Sequence, residues 1–353
     1  MTIRWGILST ASIGAVIAAA LRDSAEAELV VVGGRDPERA RAHAEAIGVP
    51  DRVGSYEGVL ARDDVDAIYV PLPISMHTEW TIKALQAGKH VLCEKPFALT
   101  AADARRCFDA AAAADRLCIE GLMYRHHPQT LLARKLVADG AIGELAYVRA
   151  ALTVAARAGD IRRTTALGGG AHLDLGCYCI SAIRLFAGHP VRVYAARVLD
   201  PAPGAEGADL RLSATLQMPD DVLAQFDVAL DFPRRDELEL IGTGGKITVP
   251  DPWLCRRGYL DLEQNGETCR VTVDSDDAYA LTYRDDPENV DAYRIEFEAA
   301  SRAIVTGAAP VFGPADAIDQ AAVLEAVGRS AALGEPVDPA PSAALAATNS
   351  GPS

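Results

Sequence analysis

The chain has 353 residues, 50% of them hydrophobic and 24% charged, and 49 acidic against 34 basic side chains give a formal net charge of -15. Nothing in that balance suggests a nucleic-acid surface, which needs clustered Lys and Arg, and the length suits two domains better than one core. No apolar run approaches the roughly 20 residues of a membrane span, and the first residues enter a strand pattern without a signal peptide.

The seven cysteines lack a metal spacing: Cys177 and Cys179 form a C-x-C with no second pair to match it. Free, mostly buried thiols in a reducing compartment are expected, so the chain reads as cytoplasmic and metal-free.

In chain order, IRWGIL (3–8) reads as a buried strand and 13–21 as a helix. AELVVVGG is a second strand, and 37–47 a second helix with Asp36 as N-cap and Pro37 at its first position. VDAIYVPLP is a third strand, HTEWTIKALQAG a helix ending at Gly88, and HVLCEKP a fourth strand. AADARRCFDAAAAA is a helix and LCIEGLMY a strand. Strand-helix alternation of this kind predicts a parallel, doubly wound sheet.

Beyond about residue 123 the pattern changes. A helix over 128–139 precedes strands with no helices between them: LAYVRAALTV, VRVYAARV, LRLSATLQM and VLAQFDVAL. ELELIGTGGKITV reads as a hairpin turning at 242–245, and YLDLEQNGETCRVTV as another turning at Asn265-Gly266. Two helices follow, over 291–306 and 315–333, and the small, polar tail from Pro336 is expected to be disordered. The expected fold is thus an α/β domain over 1–123, an α+β domain with a mainly antiparallel sheet over 124–335, and a tail over 336–353.

The loop GILSTASIG follows the first strand and opens a helix, the setting of a dinucleotide fingerprint. The positions of G-x-G-x-x-G hold Ser9, Ala11 and Gly14. Ser and Ala are small enough for backbone approach to a pyrophosphate, and Gly14 keeps the helix-packing position. Phosphate oxygens then face N–H groups at the helix start, including Ile13, with the Ser9 and Thr10 hydroxyls beside them.

An NAD site wants Asp or Glu at the end of the second strand. This chain has Gly33-Gly34-Arg35 there, and Arg39 lies one helical turn on. Guanidinium groups suit a 2′-phosphate, so NADP is expected, with NAD still possible because Asp36 can turn toward the ribose.

Four further stretches carry chemistry: YVPLPISMH, GKHVLCEKP, EGLMYRHHP and GGGAHLDLGCY. Together they resemble the glucose–fructose oxidoreductase, inositol dehydrogenase and rhizopine-catabolism (Gfo/Idh/MocA) family, over nearly the whole chain. The Ser-Thr-Ala loop, Tyr178 and NVDAYRIEFEAASRAI resemble the branch of D-xylose 1-dehydrogenase, dihydrodiol dehydrogenase and the nucleotide-sugar 3-ketoreductases. The resemblance implies a Rossmann domain, an open-faced antiparallel sheet, an active site between the two, and a homodimer or homotetramer packed through the open sheet. It also implies cofactor contacts from Pro71, Leu72, His77, Glu94, Lys95 and Arg125. The chain departs from the pattern at Ile74, where Asn is common, and at His172, where an apolar residue is usual.

Alcohol oxidation by a nicotinamide needs a general base. A free Tyr, with a pKa of about 10, is a weak base near neutrality, and a nearby ammonium favours its phenolate. Lys95 and Tyr178 fit that pair.

Asp174, four residues before Tyr178, shares a helix face with it and is a substrate contact, a group that orients Lys95, or a helix-start carboxylate. His172 and Arg163 are further substrate candidates, Arg163 being equally a solvated loop residue. Arg125, His126 and His127 are adjacent, but neighbours on a strand point to opposite sides, which argues against a metal.

The function expected is hydride transfer between a carbohydrate-like substrate, a sugar or cyclic polyol, and NADP. A nucleotide-sugar 3-ketoreductase and a cofactor-binding regulator without turnover are the alternatives.

Overall fold

The computed structural model describes residues 1–273 and 292–341. The chain forms two compact units: Met1–Leu122 with Tyr293–Ala321, and the described residues of Met123–Ala292 and Ala322–Ser353. Among the described residues, no helix is long and apolar enough to cross a membrane.

The first unit alternates β1 (Ile3–Leu8), α1 (Ile13–Leu21), β2 (Ala27–Gly33), α2 (Pro37–Ile47), β3 (Asp51–Val53), α3 (Tyr56–Leu60), β4 (Ala67–Val70), α4 (Ile74–Gln86), β5 (His90–Glu94), α5 (Ala101–Ala114) and β6 (Cys118–Gly121). All pairings are parallel and the order is β3-β2-β1-β4-β5-β6, the doubly wound dinucleotide-binding arrangement. β4 is buried at every residue, as a strand covered on both faces must be, hence its continuous apolar run AIYV. Helix starts are fixed locally. Asp36, Ser55 and Thr100 each accept a hydrogen bond from a backbone N–H of the first turn.

Two expectations needed correction. β3 and α3 are absent from the sequence reading, because three polar-flanked edge residues and five helical ones carry too little periodicity. α4 starts at Ile74, before the expected His77, since Pro73 ends the preceding turn and leaves the next residues free to wind.

The second unit contains α6 (Pro128–Ala138), β7 (Leu145–Ala155), α7 (Cys177–Ala187), β8 (Arg192–Leu199), β9 (Asp209–Gln217), β10 (Leu223–Ala229), β11 (Asp231–Gly242), β12 (Gly245–Thr248), β13 (Tyr259–Gln264) and β14 (Glu267–Thr272). They form one sheet in the order β14-β13-β12-β11-β7-β10-β9-β8, antiparallel except for the parallel pair β7–β10. In β9 buried and exposed residues alternate strictly toward its end, so one face is covered and the other open. Tyr194, Val198 and Leu223 are exposed in these strands. Both expected hairpins form. The second turns at Asn265 and Gly266, with φ of 53° and 80°, the left-handed pair a two-residue hairpin requires.

The chain closes with α8 (Ala292–Thr306) and α9 (Pro314–Leu333). α8 returns to the first unit: Phe297 packs edge-on against Trp5 and Tyr69, with centroids 4.8 and 5.1 Å away. A linear boundary at residue 123 does not anticipate this return, because it depends on a ring fitting between β1 and β4. The residues before Ala292 expected in this helix, and the tail from 342, lie outside the described residues. The first part of the tail is tied down, since Val337 bridges to Val193.

Beside Phe297, Glu296 is buried and neither carboxyl oxygen has a hydrogen-bond partner among the described residues. Burial first, then the charges of Glu94 and Glu120, push this carboxyl well above its ordinary 4.5. The folded chain keeps a proton that the unfolded chain releases, so this group's relative stability is full below 4.5 and falls as pH rises. Glu296→Gln is therefore expected to raise the denaturation midpoint at neutral pH, with the gain vanishing in acid. Paired denaturation curves across pH check this. A variant less stable than wild type at neutral pH contradicts it.

Candidate active site

In a sheet of parallel strands the C-terminal ends share one edge, and ligands bind where the strand order reverses, here between β1 and β4. The turn after β1 is closed by a hydroxyl where a fingerprint has glycine: Ser9 Oγ accepts from the Ala11 N–H at 2.9 Å. Ile13 begins α1, whose first amides carry the partial positive charge that suits phosphate. Gly14 lets α2 come close, since a Cβ there would lie 2.7 Å from His43 Nε2 and the ring would have to shift. Thr10 and Ala11 are half-buried beside it.

Arg35 is exposed just past the end of β2, and Arg39 is exposed in the first turn of α2. Asp36 is committed to capping α2, its Oδ1 accepting from the Arg39 N–H at 3.1 Å. Arg35 therefore follows the strand end at which an NAD site has a carboxylate, and Arg39 lies one helical turn on.

Pro71 and Leu72 follow β4 and are buried. His77, expected as a cofactor-edge contact, is 1% exposed. Its ring nitrogens face the carbonyls of Leu72 at 2.8 Å and Pro96 at 3.0 Å, bracing the turns after β4 and β5. Burial pushes its pKa down, so the ring is neutral and serves as an internal brace between those two turns.

Glu94 ends β5 and Lys95 follows, both half-buried, with a cis bond to Pro96. The Tyr69 hydroxyl donates to Glu94 Oε1 at 2.5 Å, and the Lys95 N–H to Oε2 at 3.3 Å. Burial and the Glu94 charge raise the Tyr69 pKa, which keeps its proton available to Glu94.

In the second unit, Tyr178 lies in the first turn of α7 and is 7% exposed. Its hydroxyl donates to Met123 Sδ at 3.6 Å, and its ring lies beside those of Tyr124 and Trp253, with centroids 6.2 and 5.8 Å away. Trp253 is held by its own indole N–H, which donates to the Ala151 carbonyl at 3.1 Å.

Arg125, expected at the cofactor, is 2% exposed and donates from Nε to Ser181 Oγ at 2.7 Å. The Tyr124 hydroxyl meets the same oxygen at 2.5 Å. Ser181, on the Tyr178 face of α7, thus ties that helix to residues 123–126.

Those residues form a 3₁₀ turn where a strand was expected, and His127 caps α6 by accepting from the Gln129 N–H at 3.0 Å. Burial pushes the His127 imidazole down to about 3, so it is neutral. Among the described residues, no three His, Cys, Asp or Glu side chains are placed to hold a metal.

The stretch before α7 is a π-turn over His172–Gly176, where a regular helix was expected. The α-helical argument for a shared Asp174–Tyr178 face therefore does not apply as stated, because the wider turn resets the angle between them. Asp174 is half-buried in that turn. His172 has its ring on Asp209, with Nδ1 donating to Oδ1 at 2.5 Å. Arg163 holds Asp200 with Nε and Nη2, at 2.5 and 2.8 Å, and the Ala156 carbonyl at 3.0 Å. Both side chains expected at a substrate are thus engaged within their own unit.

A family model described as "Oxidoreductase family, NAD-binding Rossmann fold" matches residues 3–122, and the GFO/IDH/MocA C-terminal domain matches residues 130–248. The chain belongs to the Gfo/Idh/MocA oxidoreductase family. It is 34% identical to D-xylose 1-dehydrogenase (NADP(+)) 2 of Haloferax volcanii over 95% of this chain and 99% of that one. It is 33% identical to a dTDP-3,4-didehydro-2,6-dideoxy-alpha-D-glucose 3-reductase of Saccharopolyspora spinosa, over 94% and 98%. A 3-ketoreductase from Actinomadura kijaniata, solved with NADP and TDP-benzene, superposes with a TM-score of 0.83 at 28% identity, covering 94% of this chain and 98% of that one.

Family membership, the Rossmann domain and the mainly antiparallel second sheet agree with the sequence reading. Tyr124, Ser181 and Trp253, which surround Tyr178, escaped it. Ser181 was open to detection by its three-residue spacing from Tyr178, whereas Trp253 gives no local signal.

Proposed function

We propose that this oxidoreductase moves a hydride between a sugar or related cyclic polyol and NADP, with Lys95 and Tyr178 as its acid–base pair. The observation that carries the cofactor choice is the exposed pair Arg35 and Arg39 at the end of β2, with Asp36 spent on its helix cap. The donor chemistry fits a dinucleotide: small residues and helix amides after β1 for the pyrophosphate, and two guanidinium groups for the 2′-phosphate.

When bound, NADP supplies the nicotinamide ring that accepts the hydride. The chain's own residues handle the proton. Tyr178 Oη takes it from the substrate hydroxyl, and the Lys95 ammonium favours the phenolate that does so. Glu94, oriented by the Tyr69 hydroxyl, accepts from the Lys95 backbone N–H. Asp174 holds a second substrate hydroxyl. The exposed face of the eight-stranded sheet is the proposed contact between copies of the chain.

The Haloferax relative, named as a xylose dehydrogenase, favours an aldose. The Saccharopolyspora relative, named as a 3-reductase, supports a second reading, reduction of a nucleotide-linked keto sugar. A panel of aldoses with NADP and NAD, run beside keto sugars with NADPH, separates the two. Aldose-dependent NADP reduction is expected. Tight NADP binding without turnover in either direction contradicts both and leaves the regulator.

A further inference from the structure

The connection between β8 and β9 carries a buried carboxylate at each end, Asp200 and Asp209, and each is paired with a side chain from the segment leading into α7. Asp200 receives the fork of Arg163. Asp209 receives His172 twice: the ring donates to Oδ1 at 2.5 Å and the main-chain N–H to Oδ2 at 2.7 Å. One carboxylate therefore fixes both the backbone and the side chain of the residue that begins the π-turn.

The surroundings pack closely on this pair. Gly170 passes over the carboxylate with φ of 141°, and a Cβ there would lie 2.7 Å from Asp209 Oδ1. The far side of the ring is closed by α9, where a Cβ on Gly328 would lie 3.2 Å from His172 Nε2. Burial opposes the charge on Asp209 most strongly, but the charge and hydrogen bonds of His172 outweigh it and hold the carboxyl below its ordinary range.

We infer that His172 and Asp209 form a positioning clasp, anchored a second time by Arg163 and Asp200, that sets the π-turn and with it the directions of Asp174 and Tyr178. π-turns are costly and recur at functional sites. Here a rotation at residue 172 passes into the first turn of α7, where Tyr178 sits. The inference rests on the reading of Tyr178 as the acid–base group. His172 acts through that residue and is itself neither acid nor base.

The test measures kcat and the NADP dissociation constant in the full chain, for His172→Leu, His172→Asn and Asp209→Asn, with Tyr178→Phe as reference. Misplacing a reacting group by about an ångström costs on the order of 100-fold, so His172→Leu and Asp209→Asn are each expected to lower kcat about 10- to 100-fold. The NADP dissociation constant is expected to stay unchanged. His172→Asn, whose amide N–H replaces Nδ1–H, is expected to recover most of the rate. The double variant His172→Leu/Asp209→Asn loses little beyond either single one, because the two act as a unit.

If His172→Leu does not fold, Asp209→Asn, which keeps the side-chain shape, carries the test. A crippled Tyr178→Phe beside folded His172→Leu or Asp209→Asn proteins that merely lose stability and keep kcat overturns the clasp alone. Retained turnover in Tyr178→Phe overturns the acid–base reading and the clasp together.

Discussion

Replacing Tyr178 by Phe is expected to lower turnover by about 10²–10⁴-fold, the usual contribution of general acid–base catalysis. The substitution removes one hydroxyl and keeps the ring that packs beside Tyr124 and Trp253, so the fold is expected to survive. The Met123 sulfur loses only a weak donor. The NADP dissociation constant should not move, since Arg35 and the turn after β1 are untouched.

Lys95→Met is expected to be at least as damaging, because the proposed mechanism draws on its charge to favour the phenolate. The double variant loses little beyond the worse single one, as groups acting as a unit are non-additive. In the wild type the oxidative rate is expected to rise with pH below the ordinary Tyr value of about 10. Steady-state rates across pH for the four proteins check this. Near-wild-type turnover in folded Tyr178→Phe removes Tyr178 from the chemistry.

Arg35→Asp is expected to weaken NADP binding much more than NAD binding. It replaces a phosphate partner by a like charge, and one charge-assisted contact contributes about 1.5–3 kcal/mol, or roughly 10- to 100-fold. NAD, which lacks the phosphate, should lose little, because the new carboxylate stands where an NAD site has one. Arg35 is exposed after β2, so the change leaves the core unaltered. Dissociation constants for both cofactors in both proteins decide the matter, and an unchanged NADP/NAD ratio removes Arg35 from the phosphate site.

What the sequence made legible was local. Asp36 before Pro37 specifies a cap and a helix start within four residues, and Gly14 faces a close neighbour on the next helix. Asn265-Gly266 defines its turn alone, since few other pairs take two left-handed residues in succession. The place of Lys95 after β5 was legible because EKP closes a strand of a recognisable parallel pattern.

The partners of polar side chains were not legible, because they come from distant parts of the chain. Arg163 and His172 looked available to a substrate, and each is taken by a carboxylate at one end of a connection that the sequence shows only as a polar loop. His77 looked like an edge residue, yet its two carbonyl partners lie on two different turns. The π-turn was hidden as well, since a helical pattern does not distinguish a wide turn from an ordinary one. Nor did the return of α8 to the first unit show in linear order, because it rests on Phe297 fitting against Trp5 and Tyr69.

The central claim is that a C–H hydride passes from a sugar to NADP. The most direct test supplies each aldose of the panel with deuterium at the carbon to be oxidised and follows the label into the reduced cofactor by mass spectrometry. The account predicts deuterium on the nicotinamide of NADPH, formed at a rate that Tyr178→Phe lowers by about 10²–10⁴-fold. Reduced cofactor without label, or NADP that binds tightly while no labelled sugar is consumed, would contradict it.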